Sequence, residues 1–149
     1  MNKIIFLDID GVLNCAHSTS RISENSNIVG IDDDKLKLLK ELIDKTDSKI
    51  VLISTWKTLY NDSDQKKYMM NKFKEYNIEI FDQTIDKMYD RGAGIYLYLE
   101  SNKVDQYIII DDDIFKDYDN ELMNHLIKTS FSEGFIKKHL SLALNKLSQ

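Results

Sequence analysis

The sequence predicts an α/β fold: a three-layer α/β/α, Rossmann-like arrangement around a five-stranded parallel sheet. Three observations carry this. Five short apolar runs recur along the chain, at residues 4–7, 50–53, 78–81, 107–110 and, with a weaker pattern, 126–128. Helical apolar spacings fill the intervals between them. The runs "IVLI" and "YIII" are continuous and β-branched, the pattern of strands buried on both faces. Strands alternating with helices imply right-handed crossovers and a parallel sheet between two helical layers.

Taken in order, the first run ends on Asp8, and "NCAHSTSRISENSNIVGIDD" then forms a polar connection read as a flexible loop over residues 14–30. Leu36, Leu39, Leu42 and Ile43 mark the first helix, behind a cap at Asp32 or Asp33. The acids Asp32, Asp33 and Asp34 are read as structural, because they precede an amphipathic helix and suit its positive end. The second run is followed by Ser54 and Thr55, then by a helix with Met69, Met70, Phe73 and Tyr76 on its apolar face. After the third run, Ile95, Tyr98 and Leu99 mark another helix. The fourth run meets Asp111, Asp112 and Asp113, and Ile136, Leu140, Leu144 and Leu147 form a closing helix.

Composition narrows the function. A chain of 149 residues, 42% hydrophobic and 30% charged, fits one domain with a buried core over residues 1–149. No apolar stretch approaches the ~20 residues of a membrane span. The first run stops at Asp8, too early for a signal peptide. One cysteine, Cys15, excludes an internal disulfide and a multi-cysteine zinc site. A cytoplasmic address is therefore expected. The net charge of -5 argues against a protein that coats nucleic acid nonspecifically.

Ligands of doubly wound sheets lie beyond the carboxyl ends of the strands, so the residues just after each run are the candidates for chemistry. In "DIDG", Asp8 stands at a strand tip and Asp10 turns toward the same cleft, with Gly11 allowing the turn. Two acids in one cleft can divide the roles of nucleophile and general acid. In "ISTWK", a hydroxyl of Ser54 or Thr55 can donate to a phosphoryl oxygen and Lys57 can add charge, while Trp56 is read as packing. In "YIIIDDD", consecutive acids after a buried strand repel one another, and a hard divalent cation such as magnesium relieves this. A further cation is expected between the third and fourth strands, from Arg91 or Lys87. His17, His125 and His139 lack ligand-like spacing and are read as surface or packing residues, and Cys15 as a small filler.

Together, "FLDIDGVL", "LIST" and "IIIDD" resemble the first, second and fourth motifs of the haloacid dehalogenase (HAD) superfamily of phosphohydrolases. "FLDIDGVLN", "IVLISTWK", "RGAGIYLYL", "YIIIDDD" and "IKTSFSEGF" are more narrowly similar to a small HAD family found in RNA-repair proteins. That group tends to carry arginine where Lys57 stands, and the superfamily's third motif is usually a lysine where Arg91 is offered here. The resemblance implies a magnesium-dependent phosphohydrolase. Asp8 would form an aspartyl-phosphate, with Asp10 as acid and then base. Magnesium would be held by Asp8, the main-chain carbonyl of Asp10, and Asp111 or Asp112. Ser54 or Thr55, with Lys57 and Arg91, would bind the phosphoryl group. Neither interval that could hold a cap domain is long enough for one, so the core should carry little or no cap and leave the site open. An exposed phosphate monoester, such as a nucleic-acid or nucleotide end, is the expected substrate. Lys66, Lys67, Lys72 and Lys74 on the neighbouring helix are placed to meet a polymer backbone. The competing readings are a small-metabolite phosphatase, a HAD-fold phosphate- or metal-binding module with little turnover, and a non-enzymatic acidic interaction domain.

Overall fold

The computed structural model describes residues 1–86 and 90–147. Among them, five strands form one sheet: β1 Lys3–Leu7, β2 Lys49–Leu52, β3 Ile80–Gln83, β4 Gln106–Asp111 and β5 Leu126–Lys128. All neighbouring pairs are parallel, in the order β3-β2-β1-β4-β5. The helices are α1 Asp33–Thr46, α2 Asp64–Glu75, α3 Arg91–Ser101, α4 Asn120–Asn124 and α5 Lys137–Leu147. A short 3-10 turn covers Thr55–Thr58.

Successive strand residues face opposite layers. Ile5, Leu7, Ile50, Leu52, Ile108 and Ile110 pack with α1, α2 and α5 through Leu36, Leu39, Met69, Phe73, Leu140 and Leu147. Ile4, Phe6, Val51 and Ile109 pack on the other side with Ile95 and Tyr98 of α3 and Leu122 of α4. The expected three-layer α/β/α architecture is therefore present. The chain winds one way from β1 through β2 to β3, then returns to place β4 on the other side of β1. This reversal puts the switch point between β1 and β4, where Leu7 aligns with Ile110. The residues that follow, Asp8 and Asp111, thus leave the sheet side by side.

Some local expectations need correction. Residues 78–81 do not form one strand. Asn77 adopts a left-handed φ of 54°, and the Ile78 N–H returns to the Phe73 carbonyl at 2.9 Å. Ile78 so closes α2 and packs in the core, and β3 begins two residues later. Met70 lies off the apolar face of α2 and is 46% exposed. Asp32 occupies the N-cap position of α1 but makes no side-chain cap bond. Its carboxylate accepts instead from the Ser18 and Ser20 hydroxyls. Those bonds, with Asn14 on the Gly30 carbonyl and Ala16 N on the Phe131 carbonyl, tie down the segment read as a flexible loop. The short helix α4 had no legible periodicity. Among the described residues, the segment between β1 and α1 holds turns and one isolated bridge, Arg21 with Val29, and no inserted domain.

Candidate active site

Parallel pairing delivers the strand-tip residues to one edge of the sheet. The Asp8 N–H donates to the Ile110 carbonyl at 3.0 Å, and the Ile53 N–H donates to the Leu7 carbonyl at 2.9 Å. These bonds extend the β1–β4 and β1–β2 pairings by one step and align Asp8, Ser54 and Asp111. Asp8, Asp111 and Asp112 each place a carboxylate oxygen within 4.8 Å of the others. Asp8 and Asp111 are buried. Gly11 makes the crowding feasible. Its φ is +79°, and a Cβ there would lie 2.1 Å from the Asp112 Oδ2. Thr129, after β5, braces both motif loops. Its N–H donates to the Asp111 carbonyl at 3.0 Å and its Oγ1 to the Gly11 carbonyl at 2.7 Å.

Among the described residues, Arg91 is the cation brought onto these acids. The residue is buried, with its Nη1 2.9 Å from the Asp111 Oδ2 and 3.4 Å from the Asp8 Oδ1. Its guanidinium also lies over the Phe115 ring, 4.2 Å from the centroid. Tyr118 donates to the same Asp111 oxygen at 2.8 Å, and the Asp113 N–H donates to the other at 3.1 Å. Tyr118 does not stand out in the sequence, and Thr129 lies in "IKTSFSEGF" with no role legible there, because both roles depend on where separate loops meet.

The electrostatics follow from this packing. Burial pushes the Asp8 carboxyl well above the usual carboxylate range; Asp111 and Asp112 add to the rise and Arg91 opposes it. Burial also raises Asp112, with Asp111 adding and a hydrogen bond from Asp8 opposing. Burial works to discharge Arg91, but the charges of Asp8 and Asp111 outweigh it and hold the guanidinium more firmly protonated. Among the described residues one guanidinium meets two of the three acids, so their charge is only partly opposed there. An all-oxygen donor set of this kind is the chemistry a hard divalent cation takes.

The remaining predicted residues divide. Ser54 is buried at the end of β2, where its Oγ accepts from the Trp56 N–H at 3.2 Å. This uses a lone pair and leaves the hydroxyl proton to donate. The Thr55 side chain is exposed. Asp10 is exposed above the same edge. Its Oδ1 accepts from Asn14 Nδ2 at 3.0 Å and its Oδ2 from Trp56 Nε1 at 3.0 Å. Trp56 packs in the core as expected, but its N–H bond to Asp10 has no periodic signal in the sequence. Lys57 is buried, and its ammonium is taken up by the Asp86 carboxylate and by the Ile53 carbonyl at 3.1 Å. Lys87 lies outside the described residues. On α2, Lys72 is engaged by Asp33 and Glu75; Lys66, whose ammonium donates to the Lys57 carbonyl at 3.4 Å, and Lys67 line an open groove of about 490 Å³ with Asn61, Met70 and Asn71. His125 stacks on Tyr107 and His139 on Phe135. A polar cavity of about 420 Å³ between the 17–20 segment and α2 contains none of the predicted catalytic residues.

No helix among the described residues is long and apolar enough to cross a membrane. In comparisons with known proteins, no curated protein and no solved structure matches. A family model described as the HAD domain in Swiss Army Knife RNA repair proteins matches residues 4–140. That match spans both strand-tip acid motifs and every element from β1 into α5, and the chain belongs to this HAD family.

Proposed function

We propose that the chain is a magnesium-dependent phosphohydrolase that cleaves exposed phosphate monoesters through an aspartyl-phosphate on Asp8. The observation that carries this reading is the cluster of Asp8, Asp111 and Asp112 within 4.8 Å at the switch point, with Arg91 against Asp8. Asp8, Asp111 and Asp112, with the main-chain carbonyl of Asp10, are the groups that would hold magnesium. When bound, the ion neutralises phosphoryl charge and keeps Asp8 ionised.

The chain's own residues supply the rest. A carboxylate oxygen of Asp8 bonds to phosphorus as the ester P–O bond breaks, and Asp10 gives its proton to the departing oxygen. Asp10, now a carboxylate, takes a proton from water. The water oxygen bonds to phosphorus, the P–O bond to Asp8 breaks, and phosphate leaves. Arg91 and the hydroxyl of Ser54 or Thr55 steady the phosphoryl oxygens. Lys57 joins the end of β2 to Asp86, five positions before Arg91, and so supports the cation side of the site.

A nucleic-acid or nucleotide end is the substrate class favoured by the exposure of Asp10 and by the groove beside Lys66 and Lys67. Polymer contacts there would be weakened by salt through counterion release. The test is a phosphatase screen of p-nitrophenyl phosphate, mononucleotides and 3′- or 5′-phosphorylated oligonucleotides, with and without magnesium. The reading expects chelator-sensitive release of phosphate, with higher kcat/KM on the oligonucleotide end at low salt. No turnover on any of these compounds would remove the enzymatic reading. Equal or better use of the mononucleotide would favour a small-metabolite phosphatase.

A further inference from the structure

We infer that Trp56 and Asn14 are positioning residues that aim the Asp10 carboxylate, so that the acid step depends on an indole N–H supplied by the second motif. This rests on the reading of Asp10 as the general acid. An exposed aspartate on a turn ordinarily samples several rotamers. Here each of its oxygens receives its own donor: Trp56 Nε1 on Oδ2 and Asn14 Nδ2 on Oδ1, both at 3.0 Å. Two bonds to two oxygens constrain the carboxylate's position and the rotation of its plane. Each oxygen keeps a second lone pair for the proton it must carry.

Both donors are themselves held. Trp56 is 3% exposed and Asn14 is 2% exposed. The Trp56 main-chain N–H is capped by Ser54, which fixes the indole's root at the end of β2. The orientation of the Asn14 amide follows from its partners. The Gly11 N–H donates to Asn14 Oδ1 at 2.9 Å, so the opposite side of the amide must be the Nδ2. Its two hydrogens go to Asp10 Oδ1 and to the Gly30 carbonyl, the latter at 2.9 Å. The indole and the amide are already immobilised by burial, so the group that loses freedom through these bonds is Asp10. Preorganisation of this kind matters because a group placed about 1 Å from its productive position can cost ~100-fold in rate.

Trp56 is the chain's single tryptophan, so a tryptophan analogue can be placed there alone. Trp56→Phe removes the N–H. Biosynthetic replacement by benzothienylalanine, with sulfur in place of the N–H, removes the donor while keeping the bicyclic shape, and serves even where the phenylalanine variant folds poorly. The readout is kcat/KM, with magnesium present, on an alkyl phosphate and on p-nitrophenyl phosphate; it reports the transfer to Asp8 and not the later water step, which the two esters share. The alkoxide needs a proton to leave and the nitrophenolate does not. Loss of aim at Asp10 should lower kcat/KM on the alkyl ester by about tenfold or more, a part of the 10²–10⁴ that general acid catalysis contributes. On the aryl ester kcat/KM should fall less than about threefold in the same variants. An equal fall on the two esters, or no fall, overturns the inference. Asp10→Asn separates the two levels. Where it discriminates between the esters and the Trp56 variants do not, only the positioning role fails. Where Asp10→Asn does not discriminate, the acid assignment fails and the inference fails with it.

Discussion

Removing the Asp86 carboxylate should destabilise the fold far more than the loss of an ordinary surface ion pair. The Lys57 and Asp86 side chains are each 6% exposed. Asp86 Oδ1 receives the Lys57 ammonium and the Thr84 hydroxyl, the latter at 3.2 Å. The bare Cα of Gly94 admits the Asp86 side chain, since a Cβ there would lie 2.6 Å from the Asp86 Cβ. Asp86→Ala leaves a buried ammonium with the Ile53 carbonyl at 3.1 Å as its remaining partner among the described residues. Breaking a buried pair in this way costs about 3–5 kcal/mol, because the surviving charge stays desolvated and uncompensated. For a chain of this length that is a fall in Tm of about 6–20 °C. Lys57→Met added to Asp86→Ala removes the stranded charge and should recover most of the loss, to within about 2 kcal/mol of the parent. Urea denaturation of the parent, the Asp86 variant and the double variant measures all three stabilities. An Asp86→Ala cost below about 1 kcal/mol would mean that the pair behaves as an exposed one, and a double variant no more stable than the single would mean that the stranded charge is not the cause.

Gly11→Ala should keep the sheet but displace Asp112, weakening magnesium binding by calorimetry about tenfold or more, because Cβ and positive φ are both disfavoured there. Unchanged affinity would place Asp112 outside the metal set. Arg91→Gln should unfold at lower urea than the parent in chelator, since the Asp8 and Asp111 carboxylates lose the charge that faces them, and magnesium should close much of the gap; a gap indifferent to magnesium would separate the guanidinium from the metal site. His139 accepts the Ile136 N–H at its Nδ1, and burial and Lys138 hold its pKa below the usual histidine value, with Glu133 opposing. The unfolded chain therefore binds this proton more readily, so stability is fully present above about pH 6.5 and declines as pH falls through and below it. His139→Gln should flatten that part of the urea-midpoint profile, and an unaltered slope between pH 7.5 and 5.5 would assign the decline to other groups.

The parallel sheet and the gathering of Asp8 and Asp111 at its carboxyl edge were legible because both follow from apolar period and from parallel pairing, whereas the strand order was not. Buried runs ending on acids leave little freedom about where those acids lie. Arg91 was legible as a cation in the right interval but not as a buried one, since its burial depends on Phe115 and Tyr118 arriving from the β4–α4 connection. Lys57 and Asp86 illustrate the limit more sharply. Proximity to Ser54 makes Lys57 a candidate phosphate ligand, and only the path of the segment after β3 supplies the carboxylate that engages it. The Trp56–Asp10 bond joins residues 46 positions apart, and packing explains a buried tryptophan well enough that nothing in its neighbours announces the N–H partner. Ile78 was misplaced because an apolar residue that closes a helix and one that opens a strand look alike until the left-handed Asn77 is known.

The proposed mechanism requires the Asp8 carboxylate to bond to phosphorus during turnover. Reaction with magnesium and p-nitrophenyl phosphate, quenched in acid and read by peptide mass spectrometry, tests it most directly. One phosphoryl group on Asp8 that hydroxylamine removes is expected, with neither adduct nor turnover in Asp8→Asn. A phosphoryl group on another residue, or full turnover by Asp8→Asn, would contradict it.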